Sequence, residues 1–295
     1  MDVSVCICTY RRPRVIDTIV SVLAQSAIDG LDVEIIVCDD DPHQSARESV
    51  ERTRVGARVP VRYIVSGARN VATARNACLA AAQGKWVAFI DDDEEADAHW
   101  LSELLAAQAA SGAEIVKGFV RAEYPHGTPP HVLAGDPYTR NYGPTGTPLR
   151  TAASGNVLLD RAHAIENDIW FAERFGRSGG EDTDFFRRYS ACGGRMVASQ
   201  NAIVTEIVLP ERVTFEYLRR RYLRLGQTNG RQLSAMAASE GALALVVSAV
   251  CCAMLWTYPA TKRLGNRVYF RCFSKYWYSR GMLEGACGYG REEMV

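Results

Sequence analysis

Through its first half the chain alternates short apolar runs with stretches of helical periodicity, and nothing else constrains its fold as tightly. "VSVCIC" (Val3–Cys8), "VEIIVC" (Val33–Cys38), "VRYIV" (Val61–Val65), "KWVAFI" (Lys85–Ile90) and "EIVKGFV" (Glu114–Val120) read as strands. Between them, helices are expected from Pro13 through about Ala27, across "NVATARNACLAAAQG" to Gly84, and across "HWLSELLAAQAASG" to Gly112. Strands separated by helices imply βαβ units, so the fold class is α/β, with a parallel sheet covered on both faces.

Ligands of such sheets bind beyond the carboxyl ends of the strands. Here those ends carry Thr9, then Asp39, Asp40 and Asp41, then Asp91, Asp92 and Asp93. Five consecutive acids, Asp91 to Glu95, follow a run that reads as buried strand, and each raises the pKa of its neighbours. Either they form a solvated turn, or a cation, alone or held by a substrate, neutralises them. In an extended stretch Asp91 and Asp93 share a face while Asp92 points away. This Asp-x-Asp pair offers hard oxygens suited to Mg²⁺ or Mn²⁺. The sequence has no GxxxxGK[ST] loop and no GxGxxG after the first strand. Phosphates would then be held by something other than a glycine loop, which again points to a metal ion.

Residues 122–150 are rich in Pro, Gly and Tyr without periodicity, as in a lid or binding loop. Beyond them come "RTAASGNVLLD", a helix-like "GEDTDFFRRYSACGG", and a strand pair, "RMVAS" and "AIVTEIV". From Thr214 the character changes to a basic helix, the uncharged stretch Ala242–Tyr258 and a basic-aromatic segment. Residues 1–208 hold 21 Lys and Arg against 28 Asp and Glu, whereas residues 209–295 hold 13 against 6, so a net charge of zero hides a basic end. Arg219, Arg220, Arg221 and Arg224 fit a solvated face, a grip on pyrophosphate, or a seat on anionic headgroups. The apolar stretch fits a short span, an interfacial helix or a core helix. A span would carry six basic residues to the far side, so attachment within one interface is the expectation. Nucleic-acid binding is not expected of basic residues flanking so apolar a segment. Nine cysteines without a CxxC pair imply a reduced setting and no zinc site, and a strand at the very start implies no cleavable signal peptide.

The segments "VCICTYRRP", "EIIVCDDD", "ARNVATARNACLAAAQGKWVAFIDDDEEAD" and "GGEDTDFFRR" resemble, in order, the motifs of the family 2 glycosyltransferases, over about residues 3–225. The tail resembles the branch that builds exopolysaccharide units on lipid carriers, succinoglycan-type glucosyltransferases included. The resemblance implies a GT-A fold with a mixed sheet over residues 1–212 and a membrane-associating region over 213–295. It implies inverting transfer from a nucleotide sugar, UDP-linked, to a lipid-linked saccharide at the cytoplasmic face of the membrane. Thr9, Arg11, and Asp39 or Asp40 would bind the nucleotide, with Arg75 and Asn76 beside base or phosphate. Asp91 and Asp92 would lie on the donor, Asp91 at the ribose, and Asp93, with Asp91, would bind the metal. Asp182, beside Glu181, would be the base. Gly155 and Asn156 would border the acceptor, and Arg220 and Arg221 would contact it. Glu206 stands where many relatives carry a metal-binding histidine, and it either ligates the metal or pairs with an arginine. Two other readings fit the same residues: a sugar-phosphate nucleotidyltransferase, and a non-enzymatic module whose rim acids bind a cation.

Overall fold

The computed structural model of the protein describes residues 1–233 and 238–288. They form two compact units, one of residues 1–122, 139–177 and 181–207, the other of 123–138, 178–180 and the chain from 208 onward.

In the first unit β1 (Val3–Thr9), β2 (Val33–Asp39), β3 (Val61–Val65) and β4 (Trp86–Asp91) run parallel in the order β3-β2-β1-β4. The crossovers are α1 (Val15–Leu23), α2 (Arg47–Arg54) and α3 (Val71–Ala81). Strand alternation divides the apolar side chains. Val5, Ile7, Ile35, Val37, Ala88 and Ile90 face one core with α1, while Cys6, Ile36, Val87 and Phe89 face another with α3. Full burial of one such side chain contributes about 1.5–3 kcal/mol. α3 starts where Asn70 Oδ1 accepts from the backbone N–H groups of Ala72 and Thr73. Register sets the rim: Thr9 lies opposite Asp39, and Cys8 opposite Asp91, so the ends of β1, β2 and β4 finish at one level.

Parallel order stops at β4: the parallel sheet read from periodicity holds for β1 to β4, and the whole is the mixed sheet that the resemblance implies. β5 (Glu94–Ala96), α4 (Trp100–Ser111), β6 (Ile115–Glu123), β7 (Pro148–Leu149), β8 (Val157–Asp160) and β9 (Met196–Ile207) follow, and the sheet continues β4-β8-β6-β9-β5 with β7 on β9. β8 is antiparallel to both β4 and β6, so "EIVKGFV" never touches β4. β8 starts directly after Asn156, in the left-handed region at φ 49°, which asparagine tolerates well. The supposed strand pair "RMVAS" and "AIVTEIV" is the single strand β9, with Gln200 and Asn201 exposed at its middle. α6 (Arg161–Glu166), capped by the Asp160 side chain, and α7 (Glu181–Ala191) complete this unit, α7 burying Phe185, Phe186 and Tyr189 in the α3-side core.

The second unit contains α5 (Pro130–Gly135), α8 (Phe215–Leu233), α9 (Ala238–Leu255) and α10 (Asn266–Ala286). α8 and α10 cross at glycines. A Cβ on Gly226 would lie 2.8 Å from Met282 N, and one on Gly285 would lie 2.7 Å from Gln227 Cα. Among the described residues no single helix is long and apolar enough to cross a membrane. Leu245–Leu255 and Tyr258–Leu264 pass that test only as a pair bent by 66°. Val246, Val247, Val250 and Met254 of α9 are exposed, as is Trp256 just beyond it, so the described side chains of this helix do not form a buried core helix.

Candidate active site

The loop after β1 organises the acids of the rim. Thr9 Oγ1 donates to Asp92 Oδ2 at 2.8 Å, and Arg12 Nη1 lies 3.3 Å from Asp92 Oδ1 and 2.6 Å from Asp93 Oδ2. Asp92 is thus drawn inward, and burial, opposed by Arg12 and helped by Asp93, pushes its carboxyl up to about 7. Asp91 stays outward, its side chain 40% exposed.

At the end of β2 the three aspartates part company. Asp39 is wholly buried: Oδ1 accepts from Asp41 N at 2.9 Å, and Oδ2 accepts from Ala46 N and Tyr63 OH, both at 2.8 Å. It shapes the turn and has no surface to offer a base, which corrects that assignment. Asp40 stands one residue further along, its Oδ1 accepting from Ser66 Oγ at 2.8 Å and Ala68 N at 3.1 Å. Arg11, at φ 54°, donates from Nε to Asp41 Oδ2 at 2.9 Å. That bond holds the Asp41 carboxyl down at about 2 against an ordinary 3.8. Between those values the unfolded chain binds the proton more readily, so the contribution of Asp41 to stability is present above about pH 4 and is lost as pH falls towards 2. Unfolding curves from pH 2 to 5 should therefore show a shallower acid limb for Asp41→Asn; an unchanged limb would refute this.

Arg75 is the junction. Buried on α3, it donates from Nη1 to Glu181 Oε1 at 2.6 Å, places Nη2 3.8 Å from Asp91 Oδ1, and sits over the Phe171 ring. Burial alone would lower its pKa, but Glu181 and Asp91 outweigh that and the net shift is upward. Its neighbour Asn76 has its amide engaged by the backbone of Phe171, donating at 2.9 Å and accepting at 2.8 Å. Asn76 braces α3 and is not a donor contact.

Glu181 and Asp182 open α7, where acids are favoured by the helix dipole. Burial raises the Glu181 pKa, with Arg75 opposing and Asp182 reinforcing, and Oε2 is buried without a hydrogen-bond partner. Asp182 Oδ1 accepts from Thr183 N at 2.7 Å. Gly155 lies against Asp91; a Cβ there would run into Asp91 Oδ2 and lie 2.9 Å from its Cγ. Asn156 is fully buried and spent inside the fold. Its Oδ1 accepts from Trp100 Nε1 at 2.8 Å, and its Nδ2 donates to Phe119 O and Ala202 O. An acceptor cannot reach it, so that assignment is corrected too.

Three cations escaped the sequence reading. Arg12 is described above. Arg140 Nη2 lies 3.1 Å from Glu94 Oε1 and 2.9 Å from Glu206 Oε2, so the arginine-pairing alternative describes Glu206. Lys117, wholly buried on β6, donates from Nζ to Gly155 O and, at 3.0 Å, to Asn156 O. Burial lowers its pKa to about 8, with Glu94 opposing. The signal was a lysine amid an apolar strand run, "EIVKGFV", which alternation makes look solvent-facing.

In the second unit Arg219 and Arg220 both donate to Glu216, Arg220 Nε at 2.8 Å from Oε1, and Arg221 stacks over the Tyr138 ring at 4.8 Å.

Among the described residues no group of three or more His, Cys, Asp and Glu side chains could hold a metal. Asp91 and Asp93 nevertheless suit a hard divalent ion completed by substrate phosphates and water, since Mg²⁺ commonly takes only one or two carboxylates.

A strand order of β3-β2-β1-β4 followed by antiparallel strands, with carboxylates at one rim, is the GT-A fold of sugar-transferring enzymes. The sequence pattern of glycosyl transferase family 2 matches residues 4–167, and the chain belongs to that family. It is 36% identical over 234 residues to the succinoglycan biosynthesis protein ExoM of Rhizobium meliloti, a match covering 79% of this chain and 76% of that one. Among solved structures it resembles S. aureus TarS, with a TM-score of 0.55 at 17% identity over 95% of this chain. It spans about half of that TarS chain, 55% of its length. TarS 1–349 in complex with UDP gives a TM-score of 0.55 at 16% identity, covering 99% of this chain and 93% of that one. At such identities these structures show the fold alone. The protein is a glycosyltransferase, and the nucleotidyltransferase and non-enzymatic readings fall away.

Proposed function

We propose that the protein is an inverting, divalent-metal-dependent enzyme. It moves a sugar from a nucleoside-diphosphate donor, UDP-linked, to a lipid-carried saccharide during synthesis of exopolysaccharide or another surface polysaccharide. The observation that carries this is Arg75, one buried guanidinium that links Asp91 at the end of β4 to Glu181 at the start of α7. It ties a donor-side acid to the acidic pair expected to serve the acceptor. The UDP in the TarS structure and the succinoglycan role in ExoM's name support the donor and the product class.

In this reading Thr9 and Asp40 hold the base, and Asp91 the ribose. Asp92 keeps the loop after β1 closed on the rim through Thr9 and Arg12. Asp91 and Asp93 would hold Mg²⁺ or Mn²⁺, which when bound offsets charge growing on the leaving diphosphate. Asp182 removes the proton from the acceptor hydroxyl as its oxygen attacks the anomeric carbon. The bond to the diphosphate breaks on the opposite face, its electron pair leaves with the diphosphate, and configuration inverts. Glu181, paired with Arg75, holds that guanidinium beside Asp91. Arg220 and Arg221 are assigned to the pyrophosphate of the lipid carrier. A screen of nucleotide sugars for Mn²⁺-dependent release of nucleoside diphosphate, with a membrane extract supplying acceptor, tests the whole. No turnover on any pair would overturn it.

The same reading seats the second unit on the cytoplasmic face of a membrane. Exposed Val246, Val247, Val250, Met254 and Trp256 are followed by exposed Lys262, Arg263 and Arg267, a composition suited to an anionic lipid boundary. The protein should co-sediment with vesicles containing anionic phospholipid, and Met254→Asp with Trp256→Asp should abolish this. Retained sedimentation would count against the seat.

A further inference from the structure

Lys117 poses a question that the transfer reaction as described leaves open. Taking an ammonium out of water costs several kcal/mol, and a methionine of similar length would fill the space without that cost. Lys117 nevertheless lies on β6, the third of its nine residues, with no exposed surface. Its hydrogen bonds go to two backbone carbonyls, those of Gly155 and Asn156, and its charge rests over the Tyr142 ring, 5.3 Å from the centroid.

The turn it grips does not need it for location. Asn156 is already anchored through its side chain to Trp100, Phe119 and Ala202, and Asn156 O accepts from Gly118 N at 2.9 Å. What Lys117 adds is specific to Gly155. It fixes the direction of that carbonyl, and with it the backbone packed so closely on Asp91 that no Cβ would fit. It also sets a positive charge within electrostatic reach of Glu94, Asp91 and Asp182, the acids on both sides of the site, with Arg140 opposing.

We infer that Lys117 is a positioning residue for sugar transfer, which acts through the Gly155 turn to set the Asp91 carboxylate for the donor diphosphate. This rests on the reading of Asp91 as a donor-side group. The test is a double-mutant cycle on the full chain, with Lys117→Met, Asp91→Asn and the pair, measuring the dissociation constant of UDP in the presence of Mn²⁺ alongside the melting temperature. Each single variant should weaken UDP about tenfold, and the pair also about tenfold rather than a hundredfold, because both remove one function. Should Lys117→Met not accumulate folded, Lys117→Leu, which likewise removes the donor to both carbonyls, is read in the same way. Wild-type affinity in the Lys117 variant, or losses that simply multiply, would overturn the inference while leaving the donor reading intact. No UDP binding by the wild type would remove the donor reading first, and this inference with it.

Discussion

Asp182→Asn should lower kcat by about 10²- to 10⁴-fold, the range typical of losing a positioned general base, while the KM for the sugar donor stays within about threefold. The split follows from the construction of the site. Asp182 sits on the first turn of α7, its Oδ1 fixed by Thr183 N, and an amide of the same shape keeps that contact's geometry except for one acceptor bond. What the amide cannot do is accept a proton from an attacking hydroxyl. Arg75 remains paired with Glu181 and beside Asp91, so the donor side has no reason to move. Steady-state kinetics with the best donor, together with UDP binding, check both halves. An unaltered kcat would remove Asp182 from the chemistry, and a collapse of donor affinity would make it a structural residue.

Chelation of divalent metal should have an effect of similar size, and Asp93→Ala should reproduce it. A loss of about 10³-fold in kcat/KM is expected for either, since several kcal/mol of charge stabilisation on the leaving diphosphate are at stake. The deciding feature is that the two should not add: once Asp93 is gone, chelator has little left to remove. The variant should fold, because Arg12, released from Asp93, still has Asp92 within 3.3 Å. Turnover retained in Asp93→Ala, or an enzyme indifferent to chelator, would refute the metal assignment.

The parallel half of the sheet was legible because β1, β2 and β4 are mostly apolar, buried runs, β3 is a short run that is still largely apolar, and α1 and α3 each bury one face. α2 was not, because only Val50 is buried on it and its other residues alternate in charge. The place of β8 between β4 and β6 depends on pairing between segments far apart in sequence, about which local periodicity says nothing. The rim acids were readable as strand ends, but which of them face a ligand was not. Asp39 and Asp40 are adjacent and equally acidic, and only the turn's hydrogen bonds set them apart. Asn76 and Asn156 failed for the same reason, since an amide committed to backbone partners looks in sequence like one free to bind. Lys117 and Arg140 were missed because a cation held against the sheet is recognised by its partners, and these come from Gly155, Glu94 and Glu206.

The insertion of β8 next to β4 has a consequence for how the chain is made. Synthesis delivers the four parallel strands first, and the outer edge of β4 then waits for Val157–Asp160 before its backbone groups are covered. Until that segment emerges, the nascent chain carries an open apolar strand edge able to recruit a neighbour on the same polysome. Premature termination in the stretch before Val157 would therefore yield sticky fragments instead of a smaller working domain.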